Sequence, residues 1–157
     1  MYVDYAYNKN LNGEKSKILN IVLVVANSHS MVGPKIDTLN QSIEELIPEL
    51  IEICQNDVLV AISIMSVAQT AKWEVYEKRV DEKYRFDHMQ LSDSNEINVQ
   101  SAIELLEKDF FCTLDNRENI FCPIVFWFID NKVTPKYEES LNQIKMNRLL
   151  KKPYVME

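Results

Sequence analysis

Two apolar runs of this sequence end in side chains with hydroxyl and carboxylate groups, and these are the candidates for a functional site. Ser28 and Ser30 follow one run, and Asp130 follows another. With His29 or His88 they supply the residue types of a hydrolase triad, in which a histidine takes the proton of a serine hydroxyl. Neighbouring side chains of an extended chain point apart, which disfavours Ser28 and His29 as a catalytic pair. The favoured interpretation is that Ser28, Ser30 and Asp130 bond to each other and to the loop backbones.

Buried strands of a parallel sheet are predicted to position these groups. Continuous β-branched and apolar runs predict strands at about 18–26, 58–65 and 123–129. Apolar residues at helical spacing predict a helix at 35–54 between the first two strands. This order predicts a doubly wound, mostly parallel α/β sheet flanked by helices. Carboxyl ends of parallel strands meet at one edge, so the loop from Ser28 to Ser30 is predicted to lie beside Asp130.

Further patterns complete the predicted sheet. Alternation around Trp73 predicts a short edge strand at 72–76, and the charged residues at 77–83 predict a solvated loop. Asn98 or a neighbour can cap a second helix. Pro48 lies inside the first helical pattern, where it removes a backbone hydrogen bond, and we expect a kink there.

Length, charge and cysteine content limit the class of protein. The 157 residues predict an N-terminal arm at 1–17 and a single domain at 18–157. A net charge of −7 argues against nucleic-acid binding, which needs a basic patch. The sequence shows neither a signal peptide nor an apolar run of membrane-spanning length, and its three cysteines lack CxxC spacing. We therefore expect a cytoplasmic protein with reduced thiols.

Three motifs resemble those of the von Willebrand factor type A (vWA) domain, including the small bacterial members of the tellurium-resistance and stress-response type. The segment Ala26-Asn27-Ser28-His29-Ser30-Met31 is similar to the family's Asp-x-Ser-x-Ser-Met. Ile97 stands where the second motif has threonine, although a shift would place Asn95 or Asn98 there. The third motif retains Asp130 and has Asn131 in place of glycine.

The resemblance implies a metal-ion-dependent adhesion site, and the departures imply that it is degenerate. Such a site holds Mg²⁺ or Mn²⁺ through hydroxyl and carboxylate oxygens, whose negative charge offsets the cost of dehydrating the ion. Ala26 and Ile97 would remove two of the ligands. We therefore predict no cofactor. The alternative is a residual Mg²⁺ or Mn²⁺ site made by Ser28, Ser30 and Asp130 and completed by a partner's carboxylate.

The leading functional hypothesis is a non-catalytic protein–protein interaction module that binds its partner without metal. Its predicted binding residues are Ser28, His29, Ser30, Asn98, Asp130 and Asn131. One alternative is residual metal-dependent adhesion, and another is the small hydrolase considered above. A structural subunit is the further alternative, because the resemblance implies two more strands after the third motif. A chain shortened in this way would leave an open sheet edge for an oligomer or a hetero-complex.

Overall fold

A computed structural model describes residues 17–54, 58–111, 120–121 and 123–129 of the chain. These residues form four strands, namely β1 (Lys17–Ala26), β2 (Val58–Val67), β3 (Ala71–Arg79) and β4 (Ile124–Phe128). They also form two helices, α1 (Pro34–Ile53) and α2 (Val99–Leu105), and α2 continues into a π-helical stretch, Leu106–Phe111. A short 3₁₀ turn, His29–Met31, connects β1 to α1.

The strands form one mixed sheet in the order β3-β2-β1-β4. β1 pairs in parallel with β2 on one side and with β4 on the other. β3 pairs antiparallel to β2 and is the edge strand on that side of the described sheet. α1 contacts β2, and α2 contacts both β2 and β3. The predicted α/β class, with a mostly parallel sheet flanked by helices, is confirmed.

The core is centred on β1 and β2, because both strands are covered on both faces. Every residue from Ile21 to Ala26 is at most 5% exposed, and the residues from Val60 to Val67 are buried as well. This two-sided burial explains why both segments are continuous apolar runs and do not alternate with polar residues. The observed β2 extends two residues beyond the predicted 58–65.

The predicted solvated loop at 77–83 is wrong in its first three residues, which belong to β3. Glu77 is 1% exposed, has a positive φ of 43°, and donates its backbone N–H to Ser63 Oγ at 2.8 Å. The pairing of β2 with β3 has two register shifts, at Ile62/Ile64 and at Ile64/Met65. Such irregularities reset the alternation of side chains between the two faces. A charge-rich sequence therefore contributes a buried residue here.

α1 begins at a turn that its sequence encodes. Gly33 has a φ of 77°, a conformation that favours glycine, and Pro34 is the first helical residue, where its missing N–H costs nothing. The helix is continuous past Pro48, which is exposed, and the kink stays a prediction. Four acidic residues of this helix are exposed: Glu44, Glu45, Glu49 and Glu52.

Parts of the predicted organisation lie outside the described residues. They include the N-terminal arm, apart from Lys17 at the start of β1, and everything after Ile129, where the shortened C-terminus was predicted. Cys112 and Cys122 also lie there, whereas Cys54 is a free, half-buried thiol that donates to Val80 O at 3.5 Å. In the part of the chain that is described, no helix is long and apolar enough to cross a membrane.

Candidate functional site

The end of β1 places the first predicted site residues in a closed hydrogen-bonded turn. Ser28 is 0% exposed, and its Oγ lies 2.8 Å from Ser30 Oγ. The Ser28 carbonyl accepts a hydrogen bond from the backbone N–H of Met31 at 2.9 Å. Lys35 Nζ donates to the Ser30 carbonyl at 3.2 Å, which ties the turn to the start of α1. The two hydroxyls thus bond to each other.

Ala26, Ile97 and Asn98, where the resemblance implies further ligands, have structural roles. Ala26 is 0% exposed and Ile97 is 1% exposed, so both contribute apolar atoms to the core. Asn98 is exposed, and its side-chain oxygen accepts a hydrogen bond from Ser101 N at 3.2 Å. This confirms the predicted helix cap. The Asn98 backbone N–H donates to Ala68 O at 2.8 Å, which fixes the start of α2 beside the end of β2.

The segment before α2 is held against the end of β1, an arrangement that the sequence did not predict. Backbone hydrogen bonds of 2.8 Å run from His29 N to Ser94 O and from Ser92 N to Asn27 O. Asn27 Nδ2 also donates to Gln90 O at 3.1 Å. Residues 27–33 after β1, residues 68–70 after β2 and residues 92–98 before α2 are therefore joined by backbone hydrogen bonds. We call the surface that they form the loop face. In the sequence, the polar residue Asn27 directly after an apolar strand is the feature that could have indicated this connection.

The two histidines lie apart from the buried serine hydroxyl. His29 is exposed although it follows the buried Ser28, so the two side chains lie in different environments. His88 Nε2 lies 2.9 Å from Glu44 Oε1 of α1, and both side chains are about half exposed. Within the described residues, Ser28 Oγ has no hydrogen bond to an imidazole. The hydrolase hypothesis required that contact.

Asp130 and Asn131 lie outside the described residues, and the structure does not test their predicted part in the site. β4, the strand that leads to them, runs parallel to β1 with Phe128 opposite Val25. Its carboxyl end therefore points to the same edge of the sheet as the turn with Ser28. Within the described ranges, no group of three or more His, Cys, Asp or Glu side chains is placed to hold a metal ion.

Residues 84–93 form an irregular segment that crosses beside α1 and leads to the loop face. Asn40 of α1 donates through Nδ2 to Met89 O at 3.2 Å and accepts through Oδ1 from Met89 N at 2.9 Å. Tyr84 is the first residue of this segment, and Lys78 Nζ of β3 lies 5.0 Å from the centre of its ring. Burial, with a smaller contribution from the Asp87 charge, raises the pKa of Tyr84 to about 12.

Two grooves open beside the loop face. One, of about 530 Å³, is polar and lies between β3 and the segment 84–93. The other, of about 600 Å³, is mainly apolar and lies between the start of α1 and the end of β4, where Met31 and the half-buried Trp127 line it.

Comparison with known proteins identifies the fold but no family. No protein-family profile matches the sequence, and no curated protein matches it. Two structures of proximal thread matrix protein 1 from the mussel byssus are similar, each with a TM-score of 0.53, at 13% and 15% identity. The matches cover 83% and 82% of this chain and 34% of each mussel chain. The ArnB paralog VWA2 from Sulfolobus acidocaldarius scores lower, 0.47, at 20% identity over 77% of this chain and 29% of that one.

The chain is thus an α/β protein with a vWA-like fold. It spans about a third of the length of the mussel proteins that it matches. At these identities the similarity concerns the fold alone.

Proposed function

We propose that this protein is a non-catalytic interaction module that binds a protein partner through the loop face without a metal ion. The observation that carries the proposal is the closed pair of Ser28 Oγ and Ser30 Oγ, 2.8 Å apart, with Ser28 0% exposed. Ala26 and Ile97 put buried apolar atoms where the resemblance implies a carboxylate and a hydroxyl. A hard cation bound by these two hydroxyls would gain no carboxylate from β1 to offset its dehydration.

The surface of the loop face supports protein binding. Val32 is 53% exposed directly after the 3₁₀ turn, and His29 is exposed within it. Asp93 and Asn95 are also exposed, and they lie in the segment before α2 that is hydrogen-bonded to the turn after β1. An apolar contact with polar groups around it is the usual arrangement of a small interface.

Site-specific photo-crosslinking in a fresh lysate of the cells that make the protein tests this proposal. A photoreactive amino acid is placed at His29, on the loop face, or at Glu52, an exposed control near the far end of α1. Glu52 is about 27 Å along the helix from Pro34, given a rise of 1.5 Å per residue. We expect a discrete adduct with one protein from position 29, none from position 52, and no change when EDTA is added.

The alternatives predict other outcomes. An adduct at position 29 that EDTA abolishes would contradict the metal-independent proposal and support residual Mg²⁺ or Mn²⁺ adhesion. Adducts at position 52 alone would locate the interface away from the loop face and favour the structural-subunit hypothesis.

The absence of catalysis is tested separately with a fluorophosphonate probe, which labels activated serines. We expect no labelling of Ser28, because its hydroxyl is buried and paired with Ser30. Labelling that disappears in Ser28→Ala would overturn the non-catalytic part of the proposal and restore the hydrolase.

A further inference from the structure

The apolar groove of about 600 Å³ opens between the start of α1 and the end of β4, next to the loop face. Trp127, Phe128 and Ile129 line it from the end of β4, and all three side chains are only half-buried. Met31 and Leu39 line it from the side of α1. Large apolar side chains that stay accessible in one continuous surface mark a place where another segment or molecule binds.

The side of α1 that lines this groove continues as a row of carboxylates toward the end of the helix. Thr38 and Ser42 line the groove and are exposed. Glu45, Glu49 and Glu52 follow Ser42 at intervals of three, four and three residues, and all three are exposed. Residues three and four apart lie on the same side of a helix. We call these three glutamates the acidic stripe, which extends the apolar groove along α1.

The chain itself supplies a segment that matches this surface. Ile129, the last described residue, lies in the wall of the groove, and four residues separate it from Thr134. At a reach of about 3.6 Å per residue, Thr134 lies within roughly 18 Å of Ile129. Beyond it, Tyr137, Leu141 and Ile144 recur at helical spacing. The short connection therefore gives an amphipathic segment a high local concentration beside the groove.

Basic residues accompany this apolar pattern at positions that match the acidic stripe. Lys145, Arg148 and Lys152 recur at helical spacing, and a turn of about 100° per residue would place them on the apolar side of a helix. Such a helix and α1 would both begin at the edge of the sheet that carries the loop face. Since both rise about 1.5 Å per residue, the basic residues would lie level with the acidic stripe.

We propose that the segment 134–152 of this chain docks as a helix in the apolar groove and along the acidic stripe. The apolar residues of the segment fill the groove, which removes its half-buried aromatic side chains from water. The basic residues fix the direction of the helix. The reverse direction would set Glu138 and Glu139 against the stripe, and like charges at an interface are unfavourable.

This docking has a consequence for the loop face. It holds the intervening residues 130–133, and with them Asp130 and Asn131, next to the carboxyl end of β4. β4 runs parallel to β1, so the turn with Ser28 lies at the same edge of the sheet. The use of Asp130 and Asn131 in partner binding rests on the proposed function, whereas the docking itself does not.

Photo-crosslinking within the purified whole protein tests the docking. A benzophenone amino acid is placed at Ser42, in the wall of the groove, or at Glu44, an exposed control that pairs with His88. Two residues along a helix correspond to about 200° around it, so the control lies on the opposite side of α1. We expect mass spectrometry of the irradiated monomer to find an adduct between position 42 and a peptide from 134–152, and none from position 44.

Other adducts would overturn the docking. An adduct at position 42 that joins two copies of the chain would assign the groove to a second copy. The absence of an adduct from position 42, or equal adducts from both positions, would exclude the segment from the groove. Partner crosslinking at His29 uses a different position. An adduct at 42 without a partner at 29 counts against the proposed function alone, and the reverse pattern counts against the docking alone.

Trp127 gives an independent measurement of the same contact. Trp73→Phe leaves Trp127 as the only tryptophan of the sequence. In that background, Ile144→Asp should release the segment, because it puts a charge into an apolar contact, and raise the acrylamide quenching of Trp127 about twofold. Gln143→Asp adds the same charge away from the apolar pattern and should leave the quenching unchanged. Equal quenching in the two variants would contradict the docking, and amide spectra of β1 and β2 verify that both variants are folded.

Discussion

At the scale of single residues, buried asparagines organise the part of the chain that has no regular structure. The segment 84–93 has neither helix nor strand to satisfy its backbone groups, and such groups rarely stay unpaired when buried. An asparagine amide has both a donor and an acceptor, so one side chain can pair with both groups of a peptide unit. Asn40 does this for Met89, and Asn27 binds Gln90 O. These two contacts hold the segment between α1 and the loop face.

Asn40→Ala should lower the free energy of unfolding by about 3 kcal/mol, because it leaves the N–H and the carbonyl of Met89 buried without partners. Gln41→Ala is the matched control, since Gln41 is exposed and, among the described residues, its side chain bonds only to Glu45, at 2.8 Å. It should cost no more than about 0.5 kcal/mol. Urea denaturation of both variants measures the difference. Equal losses would mean that the Asn40 contacts contribute little to stability.

At the scale of elements, α1 combines a clear amphipathic pattern with one unfavourable residue. Its buried side chains recur at helical spacing: Ile36, Leu39, Asn40, Ile43, Ile47 and Leu50. Pro48 interrupts the hydrogen-bond ladder on the exposed side. Packing of the apolar face outweighs the local penalty of proline, and the helix therefore continues to Ile53.

Pro48→Ala should raise the free energy of unfolding by about 1–2 kcal/mol. Alanine restores the N–H that can bond to the carbonyl of residue 44 and removes the clash of the ring with it, while the more flexible unfolded chain offsets part of the gain. Glu49→Ala, at the next exposed position, should change stability by about 0.5 kcal/mol or less. Thermal and urea denaturation provide the values. A loss of stability in Pro48→Ala would show that the proline fits a bend on which the packing depends.

At the scale of the whole molecule, one central strand supports both the core and the loop face. β1 lies between β2 and β4 and is buried along most of its length. The same strand ends at Ala26, where Asn27 and Ser28 begin the bonded turn. Stability of the core and geometry of the loop face are therefore linked through β1.

Leu23→Ala should lower the free energy of unfolding by about 3 kcal/mol, because Leu23 is 1% exposed and truncation leaves a cavity. Val32→Ala removes apolar atoms from a side chain that is 53% exposed and should cost no more than about 0.5 kcal/mol. Urea denaturation compares the two variants. A small effect of Leu23→Ala would contradict the assignment of β1 as the centre of the core.

The prediction of the site from sequence was partial for physical reasons that individual residues illustrate. The Asn98 cap was predictable because a cap bonds within four residues of the chain. The buried state of Glu77 was not, since it depends on irregular pairing between two strands. The contacts of Asn40 with Met89, and of Asn27 with Gln90, join positions far apart in sequence, and no periodicity encodes them.

The sequence by itself determined the α/β class, the central strands β1 and β2, helix α1 and the turn at Gly33. These features follow from local patterns of apolar residues, glycine and proline, whose conformational preferences act over a few residues. Only the tertiary structure decided that Ser28 is buried against Ser30, that the segment 84–93 joins α1 to the loop face, and that a polar groove opens beside β3. Those features depend on which distant segments meet. Burial and side-chain pairing are fixed only when the sheet and the helices pack together.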